Sequence, residues 1–107
     1  MDLSVLEDKV HSLMFVFDGL TADEIAQYLH LQGIKGYRIN ARECVISNYI
    51  HANIADAPVT LLTKPSAIGL LDKSNDLSFI CLHSNSSNVK RFIVNFDDGK
   101  YCSLVAM

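Results

Sequence analysis

The first third of the chain places apolar residues three or four positions apart, which puts them on one face of an α-helix. This spacing predicts a first helix over about residues 4–17. The face consists of Leu3, Leu6, Val10, Leu13, Met14 and Phe17. Ser4 and Glu7 stand three positions apart, as in a capping box at a helix start. Asp18-Gly19 then predicts the end of the helix.

A second helix is predicted from Thr21 to just before Gly33. Thr21 and Glu24 have the spacing of a capping box, in which each side chain bonds a free amide of the first turn. Leu20 and Ile25 flank that box as a hydrophobic staple. The apolar stripe of this helix consists of Ala22, Ile25, Ala26 and Leu29.

A linker with two glycines, residues 33–39, leads to a third predicted helix over residues 41–52. Asn40 is its expected N-cap, and Glu43 completes another capping box. Asn53 is the expected stop. One side of this helix would carry Ala41, Cys44, Val45, Asn48, Tyr49 and Ala52.

Short apolar runs after Pro58 predict three strands, over residues 59–63, 67–71 and 77–83. The turn sequences between them, at residues 64–66 and 73–76, are too short for crossovers, so the strands should be antiparallel. Residues 77–83 carry apolar side chains on both faces, which predicts a central strand.

Residues 88–98 fit two structures. Val89, Phe92, Ile93 and Phe96 have helical spacing, whereas Phe92, Val94 and Phe96 alternate as in a strand. We favour the helix because cap residues precede it and four large apolar residues share its stripe. A strand would instead turn at residues 97–99 into a hairpin with residues 100–105.

These elements predict an α+β fold with three N-terminal helices, a small antiparallel sheet of three strands, and a C-terminal helix. We expect one compact domain over residues 1–107, with a helical part over about 1–53. The sheet and the terminal helix would occupy about 57–107.

Composition narrows the class of protein. The 107 residues are 50% hydrophobic and carry a net charge of −3, which excludes disordered and strongly basic chains. Three cysteines form an odd, sparse set, which favours free thiols in a reducing compartment. We expect neither a secretory leader nor a membrane span, and therefore a soluble cytoplasmic protein.

Nucleic-acid binding is an alternative function. The second and third helices could form a helix-turn-helix with Arg42, Ser47, Asn48 and His51 facing bases or phosphates. Residues 33–52 carry a net charge of +2, so the remainder carries −5. The linker between the two helices is longer than the turn of a helix-turn-helix, and the net charge of the whole chain is negative. Both observations oppose this alternative. Candidate contacts for a nucleic acid or a partner are Lys35, Tyr37, Arg38, Arg42, Asn48 and His51.

Catalytic and metal chemistry have little support. Cys44 stands near a helix start, where the helix dipole can activate a thiol, and a base would be His11, His30, His51 or His83. No spacing places a histidine beside Cys44, which lies on an apolar face. Cys44 and His51 are two turns apart, and Cys81-Leu82-His83 offers one pair of ligands. A thiol enzyme is thus a second alternative, and we expect no metal and no cofactor.

Apolar residues exceed what one core of a small domain needs. Val5, Phe15 and Val16 lie outside the stripe of the first helix, and the strand region is apolar on both sides. Such a surplus indicates a surface that contacts another protein or a second copy. The expected function is therefore a non-enzymatic interaction or regulatory domain that self-associates.

Overall fold

The structure is a computed structural model that describes residues 2–72 and 78–106. Within these ranges the helices are α1 (Leu3–Met14), α2 (Ala22–Leu31), α3 (Val45–Asn53) and α4 (Ser87–Asp97). The strands are β1 (Leu61–Thr63), β2 (Ala67–Asp72) and β3 (Ser78–Ser84), and short 3-10 helices occupy Phe15–Phe17 and Cys102–Leu104. The predicted α+β class, with its three N-terminal helices, antiparallel sheet and C-terminal helix, is confirmed.

Helix α1 begins differently from the prediction. The Asp2 carboxylate is the cap and accepts hydrogen bonds from the Ser4 amide (2.8 Å) and the Ser4 hydroxyl (2.9 Å). The predicted Ser4–Glu7 capping box is therefore wrong, because Asp2 is the N-cap and Ser4 lies inside the helix. The α-helix ends at Met14, and residues 15–17 continue as a 3-10 helix up to the expected stop at Asp18-Gly19.

Helix α2 confirms its local signals. The Thr21 amide donates to Glu24 Oε1 (2.9 Å), and the Glu24 amide donates to Thr21 Oγ1 (3.2 Å). The helix ends at Leu31, and Gly33 follows at φ +72, a backbone angle that favours glycine. All four residues of the predicted stripe are buried: Ala22, Ile25, Ala26 and Leu29.

Helix α3 begins at Val45, four residues later than predicted, with Cys44 rather than Asn40 at the cap. The Asn40 side chain instead accepts from the amides of Arg42 (3.1 Å) and Glu43 (3.0 Å), which closes a turn. The Glu43 carbonyl is also engaged outside the helix, by the Tyr37 amide. The buried side differs from the predicted one as well, since it includes Ile46 and Ile50 and leaves Ala52 exposed.

The sheet has the order β1-β2-β3, and both pairs are antiparallel. The prediction that the last strand is central is wrong, because short connections place sequential strands side by side and make β2 the middle one. A register shift near Ile68 and Gly69 leaves Leu82 of β3 between the paired residues His83 and Cys81. Leu77 and the predicted turn at residues 73–76 lie outside the described residues.

Residues 88–98 are helical, so the strand alternative is wrong. The Ser86 side chain caps α4 by accepting from the Val89 amide (3.3 Å). Gly99, at φ +88, follows the end of the helix. Val94 is 42% exposed on the opposite side of α4. The buried residues are those with helical spacing: Val89, Phe92, Ile93 and Phe96.

All four α-helices and the sheet contribute to one hydrophobic core. Phe17, Phe92 and Phe96 are its largest fully buried side chains. Within residues 2–72 and 78–106, none of the helices combines the length and the apolar character needed to cross a membrane.

Candidate interaction surface

The linker between α2 and α3 is fixed to the C-terminal segment at Gly36. The Gly36 amide donates to the Leu104 carbonyl (2.9 Å), and the Ala106 amide donates to the Gly36 carbonyl (2.9 Å). These bonds form a short parallel bridge between Gly36 and Val105. Gly36 is buried, and a Cβ atom there would overlap the backbone of Val45. Glycine is thus what allows the linker to lie against the start of α3.

A second attachment lies two residues further, at the end of α4. The Arg38 guanidinium donates through Nε (3.0 Å) and Nη2 (2.7 Å) to the Asp97 carbonyl. A cation at this position also complements the negative end of the helix dipole. The Asp97 carboxylate accepts from the Ile39 amide (2.9 Å). Asp97 therefore binds two consecutive linker residues.

Ile39 has an unusual conformation and environment. Its φ is +54, the single positive value among the non-glycine residues that the structure describes. Its side chain is 80% exposed. A β-branched residue in this region costs about 1–3 kcal/mol, and exposing its side chain forgoes the gain from burial. The backbone strain and the exposure of Ile39 therefore contribute nothing to the stability of the fold. The conformation persists because Asp97 and Gly36 hold this part of the linker in place.

The predicted contact residues divide between surface and scaffold. Lys35, Tyr37 and Arg42 are exposed on the linker. Asn48 is part of the scaffold, because its Nδ2 donates to the carbonyls of Lys35 (2.8 Å) and Glu43 (3.2 Å). Arg38 is likewise engaged by Asp97. His51 is half-buried in the last turn of α3, away from the linker in sequence. We call residues 35–42 the linker surface.

The proposed recognition helix has little free surface. Residues 32–44 separate α2 from α3, far more than the turn of about 3–4 residues in a helix-turn-helix. Most of α3 is also turned into the core through Val45, Ile46, Ser47, Tyr49 and Ile50. A helix that reads bases needs an exposed face, so this geometry does not support the nucleic-acid alternative.

Cys44 lies in a polar cluster beneath the linker surface. Cys44 is 4% exposed, and its thiol lies 3.9 Å from the Ser47 hydroxyl. That hydroxyl donates to the Ala41 carbonyl (2.8 Å) and bonds the Thr63 hydroxyl (2.8 Å). Burial raises the pKa of the Cys44 thiol, which favours the protonated and unreactive form. A pocket of about 220 Å³ adjoins Cys44 and Ile39, but the thiol contributes little surface to it.

Alkylation kinetics test this assignment. We expect iodoacetamide to modify the exposed Cys81 and Cys102 first, and Cys44 more slowly by roughly tenfold or more, because it needs local opening and ionisation. Peptide mass spectrometry at timed intervals measures the three rates. In urea all three rates should become similar. A native Cys44 that reacts as fast as Cys81 would show an activated thiol and contradict this assignment.

His11 and His83, which the sequence analysis listed only as candidate bases for Cys44, lie against each other. Nδ1 of His11, on α1, is 2.6 Å from Nδ1 of His83, on β3. Their ring centroids are 4.8 Å apart and the rings are tilted by 60°. Burial, and then the neighbouring His11, lower the pKa of His83 and favour its neutral form. No sequence spacing reveals this pair, since the packing of α1 on β3 creates it.

Within residues 2–72 and 78–106, no three His, Cys, Asp or Glu side chains converge to hold a metal ion.

No family model matches the chain, and neither a curated protein nor a solved structure is significantly similar to it.

Proposed function

We propose that this chain is a non-enzymatic protein-interaction or regulatory domain that self-associates through its linker surface. The observation that carries the proposal is Ile39, an exposed β-branched side chain held at φ +54 by a hydrogen bond to Asp97. Strained residues persist where surrounding structure holds them, and they cluster at functional sites.

The linker surface has the composition of a binding site. Tyr37 and Ile39 present exposed apolar side chains, with the exposed cations Lys35 and Arg42 beside them in the chain. Aromatic and arginine side chains are enriched at protein interfaces, where a polar rim surrounds an apolar centre. Because Gly36, Arg38 and Ile39 are already fixed by hydrogen bonds, the linker backbone has less conformational entropy to lose on binding.

Charge supports a second copy as the partner. Residues 33–52 carry +2 and the rest of the chain −5, so the linker surface of one copy is attracted to the remaining surface of another. Other exposed apolar side chains are available for that contact. We assign to it the exposed side chains of α1 and of the 3-10 helix that follows it: Leu3, Val5, Phe15 and Val16. A contact between different patches is head-to-tail rather than two-fold symmetric.

The non-enzymatic part of the proposal is supported by Cys44. Cys44 is the candidate nucleophile of the sequence analysis. It is buried, and its thiol favours the protonated form. The three free thiols support a reducing compartment, and we propose the cytoplasm as the site of action. The proposal includes no cofactor.

Charge reversal separates protein binding from nucleic-acid binding. We expect the double variant Lys35→Glu, Arg42→Glu to weaken self-association in light scattering, because it removes the attraction to the acidic remainder. Lys90→Glu, Arg91→Glu on α4 is the matched control and should not weaken it, because it leaves the linker surface basic and makes the remainder more acidic. The wild-type association should also weaken between about 50 mM and about 500 mM salt, because salt screens exposed charges.

The same two variants assayed with duplex DNA at low salt complete the comparison. Salt-dependent DNA binding that only Lys35→Glu, Arg42→Glu abolishes would establish the nucleic-acid alternative and contradict our proposal. Equal scattering by both double variants and wild type would also contradict it.

A further inference from the structure

The packing of α1 on β3 brings His11 and His83 together on the surface. Both side chains are partly solvent-accessible, and each is anchored on a regular element rather than a loop. We propose that His11 and His83 are the protein ligands of a site for a borderline divalent transition metal, with zinc as the representative ion. Water completes the coordination.

The distance between the two nitrogens fits this role after a small adjustment. Zinc binds imidazole nitrogen at about 2.0–2.1 Å, so two nitrogens in a tetrahedral site lie about 3.3 Å apart. The Nδ1 atoms are now 2.6 Å apart and share a hydrogen bond. Widening this gap from 2.6 Å to about 3.3 Å requires rotations of two exposed or half-exposed rings, and the zinc ion would replace the shared proton.

Glu7 lies beside the histidine pair, at a distance longer than a hydrogen bond. It lies one turn before His11, and its Oε1 is 3.9 Å from His11 Nε2. Metal-binding histidines characteristically direct their second nitrogen at a carboxylate, which fixes the tautomer and strengthens the ligand. A proton on Nε2 leaves the Nδ1 lone pair directed at His83. A small rotation of the Glu7 side chain would bring its carboxylate within hydrogen-bond distance of Nε2 and make it a positioning residue, and its negative charge favours a bound cation.

The ligand type determines which ions fit. Neutral imidazole suits zinc, copper and nickel, whereas magnesium and calcium prefer oxygen ligands. Because the described residues offer no third converging ligand, the metal keeps open positions. Such a site exchanges its ion readily, unlike a closed structural zinc centre.

Titration of the chelator-treated full chain with zinc chloride tests the proposal. We expect one zinc per chain, displacement of a zinc-sensitive dye, and a rise in the melting temperature, because the ion links α1 to β3. His11→Gln and His83→Gln should each weaken binding by roughly tenfold or more, and Glu7→Gln by roughly tenfold. Magnesium chloride should give no response.

Two matched variants control for zinc bound elsewhere. His30→Gln removes an exposed histidine of α2, and Cys81→Ser removes an exposed thiol of β3, so both should bind zinc as wild type does. Circular dichroism verifies that every variant is folded, and His11→Gln is the decisive one because His11 is exposed. No binding up to about 1 mM zinc would overturn the proposal. Zinc binding that survives His11→Gln but is lost in Cys81→Ser would overturn it as well.

Discussion

Replacing Gly36 with alanine is expected to lower the free energy of unfolding by about 3 kcal/mol or more, the larger part from backbone overlap and the rest from weakened hydrogen bonds. The added Cβ would overlap the Val45 amide nitrogen and the Cys44 carbonyl carbon, and neither backbone atom can turn away as a side chain would. The linker would have to move off the start of α3. That movement would strain the Gly36 bonds to Leu104 and Ala106.

Gly33→Ala is the matched control for this substitution. Gly33 lies in the same linker at φ +72 with open space around it, so alanine there costs only the backbone strain of about 1–2 kcal/mol. Urea denaturation followed by circular dichroism gives both losses. Equal losses for the two variants would mean that Gly36 is not in close contact with α3.

The second large effect concerns Phe92, which is fully buried in α4. Its ring stacks on Tyr101, with centroids 5.3 Å apart, and lies 6.2 Å from the Phe96 ring. Phe92→Ala should lower the free energy of unfolding by about 3–5 kcal/mol, because it removes a large side chain and leaves a cavity. Phe92→Leu removes less volume and should retain a measurable unfolding transition.

Val94→Ala on the same helix is the control and should cost less than about 1 kcal/mol, since Val94 is substantially exposed. Comparing Phe92→Ala with Val94→Ala also distinguishes the helix from the strand, the two structures that the sequence allowed for residues 88–98. In a strand, Phe92 and Val94 would share one face and both substitutions would be costly. Similar losses for the two alanine variants would therefore contradict the helix and its packing.

The sequence predicts elements well where the signals are local. Thr21 and Glu24 cap α2 through atoms three residues apart, and the four large apolar residues of α4 determine its orientation. The start of α3 was wrong because it depends on distant partners. The Tyr37 amide donates to the Glu43 carbonyl, and the Thr63 amide donates to the Ala41 carbonyl. Residues 41–44 therefore form a turn instead of helix.

The candidate site was less predictable for the same reason. Lys35, Tyr37 and Arg42 are exposed as a binding role requires, but Arg38 and Asn48 are occupied by backbone carbonyls that the sequence does not place near them. A positive φ is usually read from glycine or asparagine, so nothing in the sequence marks Ile39. The pairing of His11 with His83 arises only when α1 packs on β3.

A substitution at Ile39 can test binding without loss of folding stability. Asparagine tolerates positive φ better than a β-branched residue does, so Ile39→Asn should leave the free energy of unfolding unchanged or raise it by about 1 kcal/mol. The same substitution removes the exposed apolar side chain from the linker surface. Unchanged or raised stability in Ile39→Asn would show that folding does not need the Ile39 side chain, as the proposed role in partner contact requires.

Sedimentation equilibrium of wild type, Ile39→Asn and Val59→Asn tests the proposed self-association most directly. Val59 is the matched control, a β-branched residue outside the linker surface that is 76% exposed. We expect concentration-dependent association of the 11.9 kDa chain, weakened by roughly tenfold or more in Ile39→Asn and little changed in Val59→Asn. A wild-type chain that stays monomeric at every concentration, or an Ile39→Asn variant that associates as wild type does, would contradict the proposal.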